Sequence, residues 1–283
     1  MALEQVAQQH YRRSSLTTRQ VVAAILAIWN ATGPSGFRDQ LTRAAGLVAV
    51  GQLAQAVRAA DYLLTLTAEF GMVPAPAVLV PRSLAGVSAD GRPLVDVLGY
   101  ATRRAWTMLD AGADLATANT SATATLTRIV ANEVTQAGVT AEHVGMVGQT
   151  EMTGYVRVLT APSCGRCAVL AGKWFQWNTG FARHPGCDCK HVPAARAGDA
   201  SALRANPRDY FDSLSTKDQD HYFGTAEAAA IRGGANLIKT VNATTRRGSR
   251  SGLATPRSID RLIVGKSRGD AVEVLTRTGY LAA

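Results

Sequence analysis

The sequence predicts a mainly α fold carrying one small β unit, an α+β chain with long helices first and short ones last. Three observations carry this. Alanine, threonine and leucine are abundant while aromatics are only 6% of the residues, a mixture suited to helices packed through small side chains. Apolar residues recur at helical spacing over most of the chain. After Gly154 that period gives way to the short β-branched run Tyr155-Val-Arg-Val-Leu159, and all four cysteines follow between positions 164 and 189.

With 283 residues, 47% of them apolar and 18% charged, the chain is long enough for a self-sustaining core and too apolar to be disordered. Residues 1–73 read as an N-terminal helical region. Thr17 or Thr18 caps a helix through Val21, Ile25 and Ile28 that ends near Gly33-Pro34. A second helical pattern runs from about Phe37 to Phe70 through Leu41, Leu47, Val50, Leu53, Val57, Tyr62 and Leu64, with Gly46 and Gly51 marking close contacts or a kink. Residues 74–93 hold Pro74, Pro76, Pro81, Gly86 and Gly91, which prevent continuous helix. They form an extended strap or a long surface loop. Residues 94–150 return to helix, over Leu94 to Leu109 and then Leu115 to Ala137, the latter with Leu126, Ile129, Val130 and Val134 on one face.

Residues 151–200 contain the β unit. Strands are expected at Tyr155–Leu159 and Gly172–Trp177, then a turn at Asn178–Gly180 and a return strand at Lys190–Val192. Residues 201–243 read as short helices. One covers Pro207 to Leu214, Ser215 caps the next with Asp218 three positions on, and Thr225 caps a third that Gly233-Gly234 stops. Residues 244–283 read as a basic C-terminal arm, exposed and partly mobile, in which Arg246, Arg247, Arg250 and Arg257 are the candidate nucleic-acid or partner contacts.

The cysteine pattern carries the chemistry. It reads Cys164-Gly-Arg-Cys167, a spacer, then His184-Pro-Gly-Cys187-Asp-Cys189. Two thiolates separated by two residues chelate one ion from a single turn, which Gly165 eases, and a second pair from a distant segment completes a tetrahedron. Five candidate ligands, Cys164, Cys167, His184, Cys187 and Cys189, compete for four places, so Cys₄ and Cys₃His both stand; His191 is expected at the edge of the site. Thiolate-rich ligation lowers the Lewis acidity of zinc and points to a structural rather than a catalytic ion. A disulfide remains the other use of these residues. The fold class is therefore mainly α with a small zinc-stapled β unit.

The formal charge of +9 favours a polyanion or an acidic protein surface, although the arginines are scattered enough to serve solubility alone. The most apolar run, Val21 to Trp29, is about half of what a bilayer crossing needs. No signal peptide is expected, so the chain is read as folding in a reducing cytosol. Phosphate-binding, dinucleotide and serine-hydrolase motifs are absent from the sequence, and no residue pattern demands an enzyme. His143 and His221 read as surface or interface residues. Trp174 and Trp177 are expected to cover the metal cluster rather than stack on a nucleic-acid base.

The run Tyr155-Val-Arg-Val-Leu, then Ala161-Pro-Ser-Cys-Gly-Arg-Cys-Ala-Val-Leu-Ala-Gly172, then His184-Pro-Gly-Cys-Asp-Cys189, resembles the phage Mu F-like family of minor head proteins. It is most similar to members from tailed phages and prophages of actinobacteria. The likeness covers about 155 to 243. It implies a bacteriophage minor capsid protein that acts in head morphogenesis and sits in the virion, inside the capsid near the portal vertex, after assembly in the host cytoplasm. Portal protein is the implied partner, with major capsid or scaffold protein and packaged DNA as further ones. Some relatives are described as capsid maturation proteases, which keeps that activity as the alternative, alongside a zinc-containing nucleic-acid-binding protein.

Overall fold

A computed structural model describes residues 3–159, 162–179, 190–200, 205–248 and 258–282. The first helix, α1 (Leu3–Phe37), begins well before the expected cap. Thr17 lies inside it, donating to the Arg13 carbonyl at 3.2 Å rather than capping anything. Gly33 breaks the helix with a φ of 64°, in the left-handed region that favours glycine, and Pro34 starts the next turn. A 3₁₀ turn leads into α2 (Leu41–Glu69); α3 (Leu94–Asp110) and α4 (Leu115–Gly148) follow. Asp114 caps α4 by accepting from the Thr117 amide at 2.7 Å. Ile25, Trp29, Phe37, Val48, Leu98, Leu126 and Val130 from these four helices form one core. The Trp29 indole N–H is satisfied by Asn119 Oδ1 at 2.9 Å.

Helix α4 outruns its expected end at Ala137 by three turns, to Gly148. Gln136, Thr140, Glu142 and His143 make that stretch look solvated, yet all four are buried. Other segments wrap it closely because its glycines leave room. A methyl group on Gly145 would fall 2.3 Å from Leu63 Cδ1, and one on Gly148 would fall 2.3 Å from the Ala77 carbonyl oxygen.

The segment 74–93 is a strap and not a surface loop. Strand β1 (Val78–Leu79) pairs antiparallel with the last strand of the chain, and Ala77, Leu79 and Leu84 are buried. Gln52 holds it by donating to the Val87 carbonyl at 2.8 Å and accepting from the Gly86 amide at 2.9 Å, and Glu133 accepts from the Ala89 amide at 2.6 Å.

Strand β2 (Gly154–Val158) is central in a three-stranded antiparallel sheet, flanked by β3 (Trp174–Gln176) and β4 (Lys190–Ala194). The expected strands therefore form, but the return strand pairs with β2 and not with β3. Between β2 and β3 lies the short helix α5 (Gly165–Leu170). Its Ala168 and Val169 pack with Phe211, Phe223, Ile231 and Leu237 from α6 (Pro207–Ser213), α7 (Thr216–Phe223), α8 (Thr225–Arg232) and α9 (Leu237–Gly248). Ser215 caps α7 as expected, accepting from the Asp218 amide at 3.2 Å. At α8 the cap is Gly224, with φ 94°, and Thr225 is the first helical residue.

The expectation of an exposed C-terminal arm is overturned for residues 258–282. Helices α10 (Ser258–Ile263) and α11 (Arg268–Arg277) and strand β5 (Leu281–Ala282) bury Ile259, Ile263, Ala271, Leu275 and Leu281 against α4 and the strap. The scattered basic residues had masked this apolar spacing. Arg268 turns inward: its guanidinium donates to the Met146, Val147 and Met152 carbonyls at 2.7, 3.2 and 2.7 Å and lies 4.1 Å over the Trp177 ring. These carbonyls belong to the end of α4 and the turn after it, where the helical ladder no longer supplies donors. Burial brings the Arg268 pKa down to about 10, so the group stays charged at neutral pH. Among the described residues no helix is long and apolar enough to cross a membrane.

Arg268→Ala is expected to lower stability by about 2–4 kcal/mol in urea denaturation, because charge-assisted bonds to carbonyls at a helix end are lost together. Arg268→Lys recovers only part of this, lacking the planar fork. An unchanged denaturation midpoint for the alanine variant would show that the arginine caps nothing of consequence.

Candidate metal centre

Strand β2 delivers the chain to Cys164, which is the N-cap of α5, and Cys167 follows one turn later. Cys167 is buried and Cys164 partly so; they are thiols, not joined to each other, and pack beside Met152, Tyr155, Phe175 and Trp177. Gly165 is required here for a different reason than an eased turn. A methyl group there would fall 2.8 Å from Phe223 Cδ1, so the glycine lets α7 close on the cysteine turn. Tyr210 fixes the preceding residue, its hydroxyl accepting from the Ser163 amide and donating to the Ser163 carbonyl at 2.8 Å. Burial raises the Tyr210 pKa above its ordinary value; the Ser163 bond opposes this, and Tyr222, Cys164 and Cys167 add to it.

His184, Cys187 and Cys189 lie outside the described residues, as do Arg250 and Arg257. Arg246 and Arg247 fall within α9, with side chains outside the description. The register of the sheet nonetheless constrains the second half of the pattern. Val158, six residues before Cys164, pairs with Lys190, the residue that follows Cys189. The chain thus leaves β2 toward Cys164 and enters β4 at Lys190 at the same end of the β2–β4 ladder. Among the described residues, no three His, Cys, Asp or Glu side chains are grouped to hold a metal ion.

Trp177 packs in one cluster with Cys164 and Cys167, while one ring face is taken by Arg268. Trp174 packs over Gly154 and beside Val156.

Beside the cysteine turn lies a buried polar cluster that sequence reasoning missed. Glu142, in the second half of α4, is 3% exposed. His10 Nε2 of α1 donates to its Oε1 at 2.7 Å, and His191 Nδ1 of β4 lies 3.3 Å from its Oε2. His10 stacks on Tyr62 of α2 with ring centroids 4.1 Å apart, and the Tyr11 hydroxyl donates to the His191 carbonyl. His143, read from sequence as a surface or interface residue, is buried and donates from Nε2 to the Trp177 carbonyl at 2.6 Å. His191 is fully buried, with its ring edge-on to Tyr155 at 5.1 Å between centroids. One signal was available: Glu142-His143 interrupts an apolar helical stretch, and buried charge demands a partner. What the sequence does not reveal is that the partners come from positions 10 and 191.

Burial alone would push the Glu142 carboxyl up. The charge of His191, the hydrogen bond from His10, and the charges of His10 and Lys190 outweigh it and bring the pKa below the ordinary 4.5. The cluster therefore contains a carboxylate bonded by His10 and set beside His191, joining α1, α4 and β4 across the molecule. Comparison of the chain with protein-family models, with curated proteins and with solved structures finds no match.

A depressed carboxyl stabilises the fold above its unfolded pKa and loses that contribution as pH falls through the folded one. Stability should thus hold above pH 4.5 and decline as acid protonates Glu142. Glu142→Ala, which strands two buried histidines, is expected to cost about 3–5 kcal/mol at neutral pH. Glu142→Gln should flatten the acid limb of stability measured against pH. An unaltered limb in that variant would mean the cluster carries no charge.

Proposed function

We propose that this chain is a minor head protein of a tailed phage, a zinc-stapled structural component seated at the portal vertex inside the capsid. The observation that carries the reading is the pattern Cys164-x-x-Cys167 with His184-Pro-Gly-Cys187-Asp-Cys189, the last cysteine directly preceding Lys190, which pairs with Val158 of β2. It joins the likeness of residues 155–243 to the phage Mu F-like minor head proteins. The described donors fit the ion: two thiols one turn apart, one of them partly exposed, in a pocket of aromatic and sulfur-bearing side chains. Cys164 and Cys167 would hold it with two of His184, Cys187 and Cys189. A bound zinc ion would supply a tetrahedral, redox-inert junction between the turn after β2 and the segment before β4.

A structural role suits what surrounds the site. The cysteine turn is packed under α7 and Trp177, which favours holding an ion over presenting it to a substrate. The partners follow from the same reading: portal protein first, then capsid or scaffold protein, with the excess positive charge available to packaged DNA.

Cys164→Ser should lose stoichiometric zinc and destabilise the protein by several kcal/mol, on the order expected when structural metal binding is part of folding. A variant that keeps both its metal content and its melting temperature removes the ligand assignment. For the assembly role, the chain should co-purify with portal protein from particles or procapsids. Its absence from both would refute that role while leaving the metal site standing.

A further inference from the structure

The outer face of α2 is apolar where a surface helix should be polar. Val50, Leu53, Val57 and Leu64 are 67%, 38%, 44% and 67% exposed, and they line the side of the helix opposite the buried Val48, Gln52, Ala59 and Leu66. A helix that is apolar on both sides is normally covered on both. Gly46 lies on the same outer line, and a Cβ added there would meet nothing within 4 Å.

The charges on this face say what covers it. Arg43 stands near its start and Asp61 near its end, eighteen positions apart. At 3.6 residues per turn that is five whole turns, so the two lie on one line along the helix. Neither makes a hydrogen bond or ion pair through its side chain with another described residue. A two-fold axis perpendicular to α2 near Gln52 would set a second α2 antiparallel to the first. Arg43 of each copy would then face Asp61 of the other, with Val50, Leu53, Ala54 and Val57 between the two ion pairs. Two other cations stand near Asp61, in the groove between α1 and α2: Arg58, turned toward α1 where it donates to Thr17 Oγ1 at 2.9 Å, and Arg13.

We propose that the outer face of α2 is a two-fold interface with a second copy of this chain. The face is about 30 Å long and about 10 Å wide, roughly 300 Å² per copy. That is below the ~800 Å² per partner of a standard stable interface, so the dimer is reversible and dilution dissociates it. The proposal is independent of the head-protein reading, and neither falls with the other.

Sedimentation of the full chain over a dilution series tests it. Wild type should show a monomer–dimer equilibrium, and Val50→Asp should stay monomeric throughout while melting as wild type does. Arg43→Asp and Asp61→Arg should each weaken association by about tenfold or more, since each sets like charges opposite one another twice. The double variant R43D/D61R should recover to within about threefold of wild type, because opposite charges face again. A wild type that remains monomeric at every concentration overturns the proposal, as does a double variant that associates no better than the singles.

Discussion

The pairing of β2 with β4 is the constraint on which the arrangement depends. Its register, with Val158 opposite Lys190, fixes where the chain departs toward Cys164 and where it returns after Cys189. The strand pair is not left to its own hydrogen bonds. Glu142 reaches it from α4 through His191, Tyr11 reaches the His191 carbonyl from α1, and Val156, Val192 and Ala194 pack with Ala7 and Tyr11. A small sheet of this kind is marginal by itself; here it is fastened to two long helices by one buried carboxylate. A charge so placed needs its partners, which makes the fastening specific, because a shifted strand would leave Glu142 without His191.

The same logic explains α4. Its first half is an ordinary core helix, and its second half is the post around which the strap, the sheet and the C-terminal helices are wound. Gly145 and Gly148 allow the close approach, and Arg268 closes the open carbonyls at the end. Elements from both ends of the chain, α1 and β5, thus meet along one helix.

The helices with a clear apolar period were legible in the sequence: α2, α3, the start of α4, and the short helices after Pro207, with Ser215 as a true cap. The strands of the β unit were legible from their β-branched runs, but not their order, since pairing is a long-range choice. Three features were hidden, each for a physical reason. The buried half of α4 carries polar residues whose partners, His10, His191 and the Trp177 carbonyl, lie on other elements far along the chain. The C-terminal segment pairs its apolar residues with many arginines, which reads as solvation until Arg268 is seen turned inward. The strap's prolines forbid helix but do not say that Gln52 and Glu133 will hold its backbone. For the site, the cysteine turn was legible from spacing, whereas the Glu142 cluster was not, because neither histidine partner is near it in sequence.

The account as a whole turns on whether sulfur ligands from both sides of the β2–β4 ladder meet on one ion. X-ray absorption at the zinc edge, on protein purified under reducing conditions, tests this most directly. The account predicts one zinc per chain with a tetrahedral shell of three or four sulfurs at about 2.3 Å. A shell built from nitrogen and oxygen, or protein that carries no metal, would contradict it.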